Sequence, residues 1–464
     1  MDLWSSMALG AAVAHDSTLY STTQRHGRNR GRENSMNRTR LKSDIKRRMA
    51  NGALWTFTGT AVGKLLVLLA GIGCARLLGK TQFGELGMVR STIGMFIVFG
   101  AAGIGVTATR FIAQHRHTDS AQAASICAMS NRFALWFGMG IMVVMIGCSG
   151  LLANNILHSP QLQTALMLGG LMLLGSTLNG SLNGILAGME DFRSIALCTL
   201  VGSMAEATLM TTGAWIYGLE GAVVGFGLGV AVLYIAYHFA VRRTLQHAGI
   251  ATHGVAIRKK DWQLLLTYSL PAALSALMVT PVFWTIRAML VRHDGYAELA
   301  VFEAADQWKI IIMFVPGAIS QIALPILSSM TESQTFSHTL RLHIQLIAGI
   351  ASLLALLIIV AAPVIMPLYG TDYTNHVTLS LLAVSVVFAC VSNVIEMAIY
   401  SIGKMWTGFL FNVVWAVATC LLALWLLPLH WGSSALAMAV LLAYLLKTIV
   451  MGVYICFTPN SQPL

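Results

Sequence analysis

Charged side chains inside long apolar stretches are the residues of this sequence best suited to do chemistry. Lys64 and Arg90 lie in the first two apolar stretches, and Arg287 and Lys309 lie in two stretches of the second half. A charge at the centre of a membrane helix costs about 2.5–3.5 kcal/mol, so such charges usually mark functional sites. Arginine offers a phosphate two parallel hydrogen bonds, and lysine offers a compact charge. The four bases predict a shared site for a phosphate or pyrophosphate group.

Two neighbours of Lys309 extend the predicted substrate site. Gln307 can hydrogen-bond a polar ligand, and Trp308 can stack on a sugar ring. The alternative for Trp308 is packing or an interfacial position, which is the commoner role of tryptophan in membrane helices. The alternative for Lys309 is neutralisation by Asp306, which precedes it by three positions.

Acidic residues in apolar stretches form a second predicted class. Glu206 lies centrally in one stretch, and Glu396 lies in another far along the chain. Burial raises the pKa of a carboxyl group, as a proton carrier requires. We therefore treat Glu206, Glu396 and Asp306 as candidates for coupling to H⁺ or Na⁺. Bonding of each carboxylate to a neighbouring helix is the alternative.

Two stretches resemble motifs of soluble enzymes, but neither motif is complete. Gly59–Leu65 resembles a phosphate-binding loop, but it is one residue too short and has Leu65 where Ser or Thr must bind Mg²⁺. His115 and His117 lie in a short basic loop without an evident third metal ligand. We predict no catalytic residue, no cofactor and no metal site, and conclude that the chain is not an enzyme.

The elements that must position these residues are membrane helices. Only 10% of the 464 residues are charged and 56% are apolar, and a soluble protein could not cover its surface with so few charges. Apolar runs of 18 or more residues recur throughout, each long enough to cross a bilayer. We predict an all-α polytopic membrane protein of about twelve helices, in two six-helix lobes around a central cavity. The predicted helices are 53–79, 86–112, 124–153, 162–188, 194–218, 221–246, 263–291, 298–328, 338–368, 376–402, 405–428 and 431–456.

Composition divides the chain into four regions. Residues 1–48 hold ten of the 29 basic residues and are predicted to be a disordered cytoplasmic segment, of which residues 1–35 are expected to be dispensable. Residues 49–247 form the first lobe, 248–262 a cytoplasmic linker, and 263–464 the second lobe with a short tail. The basic segment lacks any nucleic-acid-binding motif, so anionic lipid is its expected partner.

The distribution of basic residues predicts the orientation. Loops on the side of the N-terminus carry most of the Lys and Arg residues, whereas the opposite loops are short and carry mainly Lys80 and Arg292. Basic loops remain in the cytoplasm, so both termini are predicted to be cytoplasmic.

Several sequence runs resemble one family. The first is the run 75–87, ARLLGKTQFGELG, at the first turn between helices, followed by 91–94 and 107–113. Three further runs, 304–308, 314–319 and 324–328, lie in the predicted eighth helix. Together they resemble bacterial polysaccharide-unit flippases of the Wzx type, in the multidrug/oligosaccharidyl-lipid/polysaccharide exporter superfamily.

The resemblance implies a function and a location. It implies alternating-access flipping of undecaprenyl-pyrophosphate-linked oligosaccharide, such as O-antigen or exopolysaccharide units, across the bacterial inner membrane. Glycosyltransferases and a polysaccharide polymerase are the protein partners expected with it. A multidrug or cation antiporter of the same superfamily is the first alternative, and a membrane glycosyltransferase or polymerase the second. Acidic residues should dominate the cavity of an antiporter, and a large external loop should mark an enzyme.

Overall fold

Long helices with short connections make up the protein. The computed structural model describes residues 30–101, 104–116, 118–250, 279–320, 333–402 and 404–457. No strand occurs among these residues. The helices are α1 (Arg30–Ala101), α2 (Ile104–His115), α3 (Ser120–Leu151), α4 (Leu162–Gly188), α5 (Phe192–His247), α6 (Val279–Ser320), α7 (Ser333–Ile365), α8 (His376–Ser401), α9 (Met405–Leu426) and α10 (Ser433–Phe457).

Three of these helices are too long to be single membrane spans. A straight helix of 72 residues, the length of α1, would extend about 108 Å, against a hydrocarbon core of roughly 30 Å. Backbone breaks divide α1 at Gly79, α5 at Tyr217 and Gly218, and α6 at Gly295. Each of the three glycines has a positive φ, between 61° and 83°, which glycine adopts at little cost. The chain therefore reverses direction at each break.

Side-chain caps mark the start of three helices, α3, α5 and α8. Asp119 accepts a hydrogen bond from the backbone N–H of Gln122 at 2.9 Å, at the start of α3. Asp191 does the same for Ser194 at the start of α5, and Asn375 for Val377 at the start of α8. These oxygens satisfy backbone N–H groups that have no partner inside the helix.

The outer surface of the bundle is apolar, as lipid contact requires. Val360 and Trp406 are 72% and 82% exposed, whereas small residues and paired polar groups fill the interior. Eight helices in the described part of the chain are long and apolar enough to cross a membrane. The all-α membrane fold is thereby confirmed, while the count of twelve and the division into two lobes remain predictions.

The predicted helix limits agree best where turns are sharp. The predicted helix 162–188 coincides with α4, and the breaks at Gly79, Gly218 and Gly295 fall at or between the ends of consecutive predicted helices. Most of the linker and parts of the predicted seventh and eighth helices lie outside the described residues.

The basic N-terminal segment requires a correction. Residues 30–48 are helical and continue directly into the first apolar stretch, so disorder up to residue 48 is wrong for this portion. Arg, Lys, Met and Leu are good helix formers, and extending an existing helix costs far less than starting one. Residues 1–29 lie outside the described part of the chain.

Turns gather at one end of the bundle, which we call the Gly79 end. It contains the breaks at Gly79, Gly218 and Gly295 and the turns 156–161, 366–375 and 427–432. One large buried cluster below this end includes residues of α1, α6 and α10, such as Leu86, Phe302 and Leu436. It joins the predicted first half of the chain to the second.

Candidate functional site

Arg287, Glu303, Asp306 and Lys309 form a buried ion cluster within α6. The Arg287 side chain donates from Nε to Glu303 and from Nη2 to Asp306 Oδ2, the latter at 2.9 Å. Lys309 Nζ donates to Asp306 Oδ1 at 2.8 Å. We call these four residues the central ion cluster. Its two bases and two acids cancel in formal charge.

The break at Gly295 creates this cluster. It folds the two parts of α6 back on each other, so that Arg287 on the first faces Glu303 and Asp306 on the second. Asp306 is ten residues beyond Tyr296, so it lies about 15 Å along its helix from the Gly79 end, near mid-membrane. Buried charges at that depth persist only when paired, and these are paired.

Aromatic rings cover the bases of the cluster. Lys309 Nζ lies 4.3 Å from the centroid of the Phe283 ring, and the Arg287 guanidinium lies 5.4 Å from that of Phe302. The electron-rich faces of these rings attract cations. Trp284, on the same part of α6 as Phe283, donates from Nε1 to Thr92 Oγ1 at 3.0 Å.

Gln307 and Trp308 follow Asp306 and lie where α1 packs against α6. Tyr369 donates from its hydroxyl group to Gln307 Oε1 at 3.3 Å, and a Cβ atom on Gly71 would collide with the Gln307 amide. Trp308 is half-buried and packs against the large core cluster. Both residues therefore lie at the contact between the two predicted halves.

Arg90 and Lys64 occupy separate positions on the α1 side. Arg90 Nη2 lies 3.3 Å from Glu206 Oε1, and its guanidinium lies 5.1 Å from the ring centroid of Phe226. Lys64 Nζ lies 6.0 Å from the Phe314 ring centroid, so this base faces the second part of α6. Arg90, Glu206 and Lys64 are all half-buried.

The structure thus groups the predicted site residues unevenly. It brings Arg287, Lys309 and Asp306 together, and it places Gln307 and Trp308 beside them on the same helix. Arg90 and Glu206 form a pair between α1 and α5, and Glu396 belongs to another cluster on α8. The four predicted bases are accompanied by three carboxylates: Glu206, Glu303 and Asp306.

A family model described as polysaccharide biosynthesis protein matches residues 49–331, which is more than half of the chain. The chain belongs to this family. The match spans α1 to α6 and therefore contains the central ion cluster and the Arg90–Glu206 pair.

Two curated relatives of low sequence identity are a polysaccharide export protein and a lipid flippase. The EPS I polysaccharide export inner membrane protein EpsE of Ralstonia nicotianae is 25% identical over 292 residues, which are 62% of this chain and 66% of that protein. The lipid III flippase of Escherichia coli is 22% identical over 293 residues, which are 62% of this chain and 68% of that protein. The chain therefore matches about two thirds of the length of each relative.

Solved structures agree on the fold. An inward-facing multidrug resistance MATE family transporter of the MOP superfamily aligns with a TM-score of 0.75 at 17% identity, covering 84% of this chain and 93% of that one. The lipid II flippase MurJ, in an inward closed conformation, aligns with a TM-score of 0.72 at 13% identity, covering 88% of each chain. This member of the polysaccharide biosynthesis family has the transporter fold that those proteins share.

This protein also contains a second buried cluster, and Glu396 is its one member that the sequence predicted as a site residue. Lys447 on α10 lies with Nζ 2.9 Å from Glu396 Oε2 and donates to Asn412 Oδ1 at 2.7 Å. Asn412 and Tyr400 donate to Glu396 Oε1 at 2.8 and 2.6 Å. We call Glu396, Tyr400, Asn412 and Lys447 the α8–α10 cluster. Lys447 is the single charged residue in the apolar α10 sequence, so the rule applied to Lys64 and Arg90 would have predicted it too.

Contacts at the Gly79 end join the two predicted halves. Lys80 Nζ lies 3.4 Å from Glu298 Oε1, and Arg76 Nε donates to the Leu368 carbonyl oxygen at 2.6 Å. Arg292 Nε donates to the carbonyl oxygen of Ile156 at 3.0 Å. Lys80 and Arg292, noted in the sequence only as loop charges, therefore hold this end together. We call these interactions the Gly79-end contacts.

Proposed function

We propose that this protein is a flippase that carries undecaprenyl-pyrophosphate-linked oligosaccharide units across the bacterial inner membrane. The observation that carries the proposal is the central ion cluster, a set of buried charges at mid-membrane within a chain of the polysaccharide biosynthesis family. The similarity to a polysaccharide export protein and to a lipid III flippase supports the substrate class. The charges of the cluster pair with one another inside the bundle, and this arrangement fits a transporter better than an enzyme that makes bonds.

The pyrophosphate of the substrate is proposed to compete with the carboxylates of the cluster. Arg287 and Lys309 hold Asp306 through charge-assisted hydrogen bonds, and a pyrophosphate offers the same kind of acceptor oxygen. Lys64 and Arg90 would extend the basic surface from the α1 side, while Gln307 and Trp308 would contact sugar groups. A site whose bases are already neutralised at rest avoids the cost of unpaired charge between transport cycles.

This site assignment is tested by chemical accessibility. Single cysteines at Lys64, Arg90, Arg287 and Lys309, in a background without the seven native cysteines, should react with a membrane-impermeant thiol reagent. A cysteine at Val360, which is 72% exposed on the apolar surface, is the matched control and should stay unlabelled. Failure of all four cysteines to react from either side would contradict a shared aqueous site.

The proposed orientation places both termini in the cytoplasm and the Gly79 end outside. The excess of Lys and Arg in the opposite loops supports it. In this orientation the Gly79-end contacts close the external side, so the structure corresponds to a state accessible from the cytoplasm. Reporter fusions near residue 118 and residue 372 should then give cytoplasmic and external signals, respectively.

Coupling to H⁺ or Na⁺ is proposed to use Glu206, Glu396 or Asp306. Each carboxylate lies beside a base, namely Arg90, Lys447, or the pair Arg287 and Lys309, so taking up a proton or Na⁺ would compete with an existing ion pair. Flipping should be measured in vesicles with an imposed pH or Na⁺ gradient. Glu206→Gln and Glu396→Gln should each be compared with wild type, and unchanged gradient dependence in both would exclude these two residues.

The decisive experiment for the function is a sided assay of the lipid-linked intermediate. Deletion of the gene should cause undecaprenyl-pyrophosphate-linked oligosaccharide to accumulate on the cytoplasmic leaflet, where an externally added lectin cannot reach it. Re-expression of the chain should restore exposure of the sugar outside. Normal exposure in the deletion strain, with no redundant transporter present, would contradict the proposal. The same strain would identify the glycosyltransferases and polymerase that we propose as partners, because they make and consume the accumulating unit.

A multidrug or cation antiporter is the second candidate function. The TM-score of 0.75 with a MATE transporter and the acids Glu206, Asp306 and Glu396 inside the bundle favour it. Against it, each of these acids lies beside a base, so the site offers a cationic drug no excess negative charge. Resistance to cationic dyes that disappears on deletion, without any polysaccharide defect, would favour the antiporter.

A further inference from the structure

Two turns at the Gly79 end bring together three side chains that commonly bind metals. His293 and Asp294 immediately precede the Gly295 break, and His430 lies in the turn before α10. One ligand atom from each of the three residues lies within 4.8 Å of the other two. The His293 and His430 rings are 6.0 Å apart between centroids and meet edge to face.

Asp294 has an acceptor oxygen without a hydrogen-bond partner. Its Oδ2 is buried and accepts no hydrogen bond from any described residue. Its Oδ1 lies 3.9 Å from His430 Nδ1, beyond hydrogen-bonding distance. A buried carboxylate oxygen without a hydrogen bond destabilises the fold, so a ligand that binds it is expected.

The donor set selects a class of ligand. Two imidazole nitrogens and one carboxylate oxygen are typical of Zn²⁺ sites that keep a fourth position open. Atoms that bind one metal at about 2.0–2.2 Å lie less than 4.8 Å apart, so the three side chains must move closer together to bind it. The His430 side chain is 76% exposed and so has room to rotate toward the other two. His293 is also exposed, whereas Asp294 is held in place by burial.

We propose that His293, Asp294 and His430 form a binding site for a divalent transition-metal ion of the Zn²⁺ class. The site lies outside the predicted transport pathway and does not depend on the proposed function. A metal there would tie the turn within α6 to the turn before α10.

Metal binding would stabilise neighbouring Gly79-end contacts. Arg292, the residue before His293, donates to the Ile156 carbonyl oxygen. Glu298, which pairs with Lys80, also accepts a hydrogen bond from the Ser433 backbone N–H at 2.9 Å, just beyond the His430 turn. A metal that fixes both turns therefore favours the arrangement in which this end is closed.

The test is metal binding to the purified, full-length chain after removal of any purification tag. Co²⁺ is added as the probe and followed by its visible absorption, and Zn²⁺ is then used to displace it. We expect the wild-type protein to bind one equivalent of Co²⁺. The Co²⁺ affinity should fall more than about 100-fold in His293→Ala and in His430→Ala, since losing a ligand should exceed the 10–100-fold cost of losing an outer-shell partner. Asp294→Asn should weaken binding while leaving both imidazoles in place.

His376→Ala is the matched control, because His376 is an exposed histidine at the start of α8, at the same end of the bundle. It should bind Co²⁺ as wild type does. Because His293 and His430 are exposed, metal-free thermal unfolding should be the same in wild type, His293→Ala and His430→Ala. The proposal is overturned if His293→Ala and His430→Ala retain wild-type affinity, or if His376→Ala loses the equivalent equally.

Discussion

At the scale of single residues, several charges in the described apolar helices lie beside an opposite charge. Arg90 faces Glu206, Lys447 faces Glu396, and Asp306 is shared by Arg287 and Lys309. Removing one partner of a buried pair leaves an uncompensated charge, whereas removing both does not. Paired substitutions can therefore separate a residue that binds substrate from one that only neutralises its neighbour.

We predict that Arg90 acts on substrate as well as on Glu206. Arg90→Glu should abolish flipping, and Arg90→Lys should retain part of it, since lysine keeps the charge but loses the bidentate geometry. The exchange variant that combines Arg90→Glu with Glu206→Arg restores opposite charges at the 3.3 Å contact. It should return to the wild-type membrane level without recovering transport. Full recovery of flipping in the exchange variant would show that Arg90 serves only the pair.

The ion pair of the α8–α10 cluster should stabilise the fold, whether or not Glu396 also takes up an ion. Glu396→Gln and Lys447→Met should each lower the free energy of unfolding by about 3–5 kcal/mol, because each leaves one buried charge without its partner. The double variant should recover most of that loss. Unfolding with denaturing detergent, arranged as a double-mutant cycle, measures the coupling between the two residues. Additive losses would mean that the 2.9 Å pair contributes no interaction energy.

At the scale of helices, glycine sets how closely α1 approaches α6. A Cβ atom on Gly84 would collide with the Tyr296 carbonyl oxygen, and one on Gly87 would lie 2.5 Å from Glu303 Cγ. Glycines of α4 and α5 also allow close approach: Thr109 Oγ1 donates to the Gly184 carbonyl oxygen at 3.1 Å, and Gly229 packs on the Glu206 backbone.

Gly84→Ala should therefore separate α1 from α6. We expect it to destabilise the protein by about 1–3 kcal/mol, the usual cost of overpacking, because the atom in the way belongs to the backbone. Gly94→Ala is the matched control in the same helix, since a Cβ atom added at Gly94 would have no neighbouring atom within 4 Å. It should be neutral or stabilising by up to about 1 kcal/mol. Equal effects of the two changes on detergent unfolding would refute the close-packing argument.

At the scale of the whole molecule, we expect the Gly79-end contacts to decide which side is open. They join turns that are far apart in the sequence, and they consist of a few hydrogen bonds and one partly exposed ion pair. An ion pair near the surface contributes about 0–1 kcal/mol, so these contacts can hold one state without preventing its exchange with another.

Fixing this end should stop transport. Lys80→Cys and Glu298→Cys, introduced together in a cysteine-free background, should be joined by a short cleavable reagent with two thiol-reactive groups, because the wild-type side chains meet at 3.4 Å. The joined protein should not flip substrate, and cleavage of the reagent should restore activity. Each single-cysteine variant treated with the same reagent is the control. Undiminished flipping by the joined protein would show that this end need not open.

The sequence alone was sufficient for the membrane fold, the position of α4 and the buried charges, because hydropathy and charge are local properties of a stretch of chain. Lys64, Arg90, Arg287 and Lys309 could be predicted from their apolar neighbours. Their partners could not, because the pairing of Arg90 with Glu206, or of Glu396 with Lys447, depends on which helices pack together. The His293–Asp294–His430 cluster depends on the same packing. The tertiary structure decided these contacts, since a salt bridge or a metal site is defined within a few ångströms in space, whatever the distance along the chain.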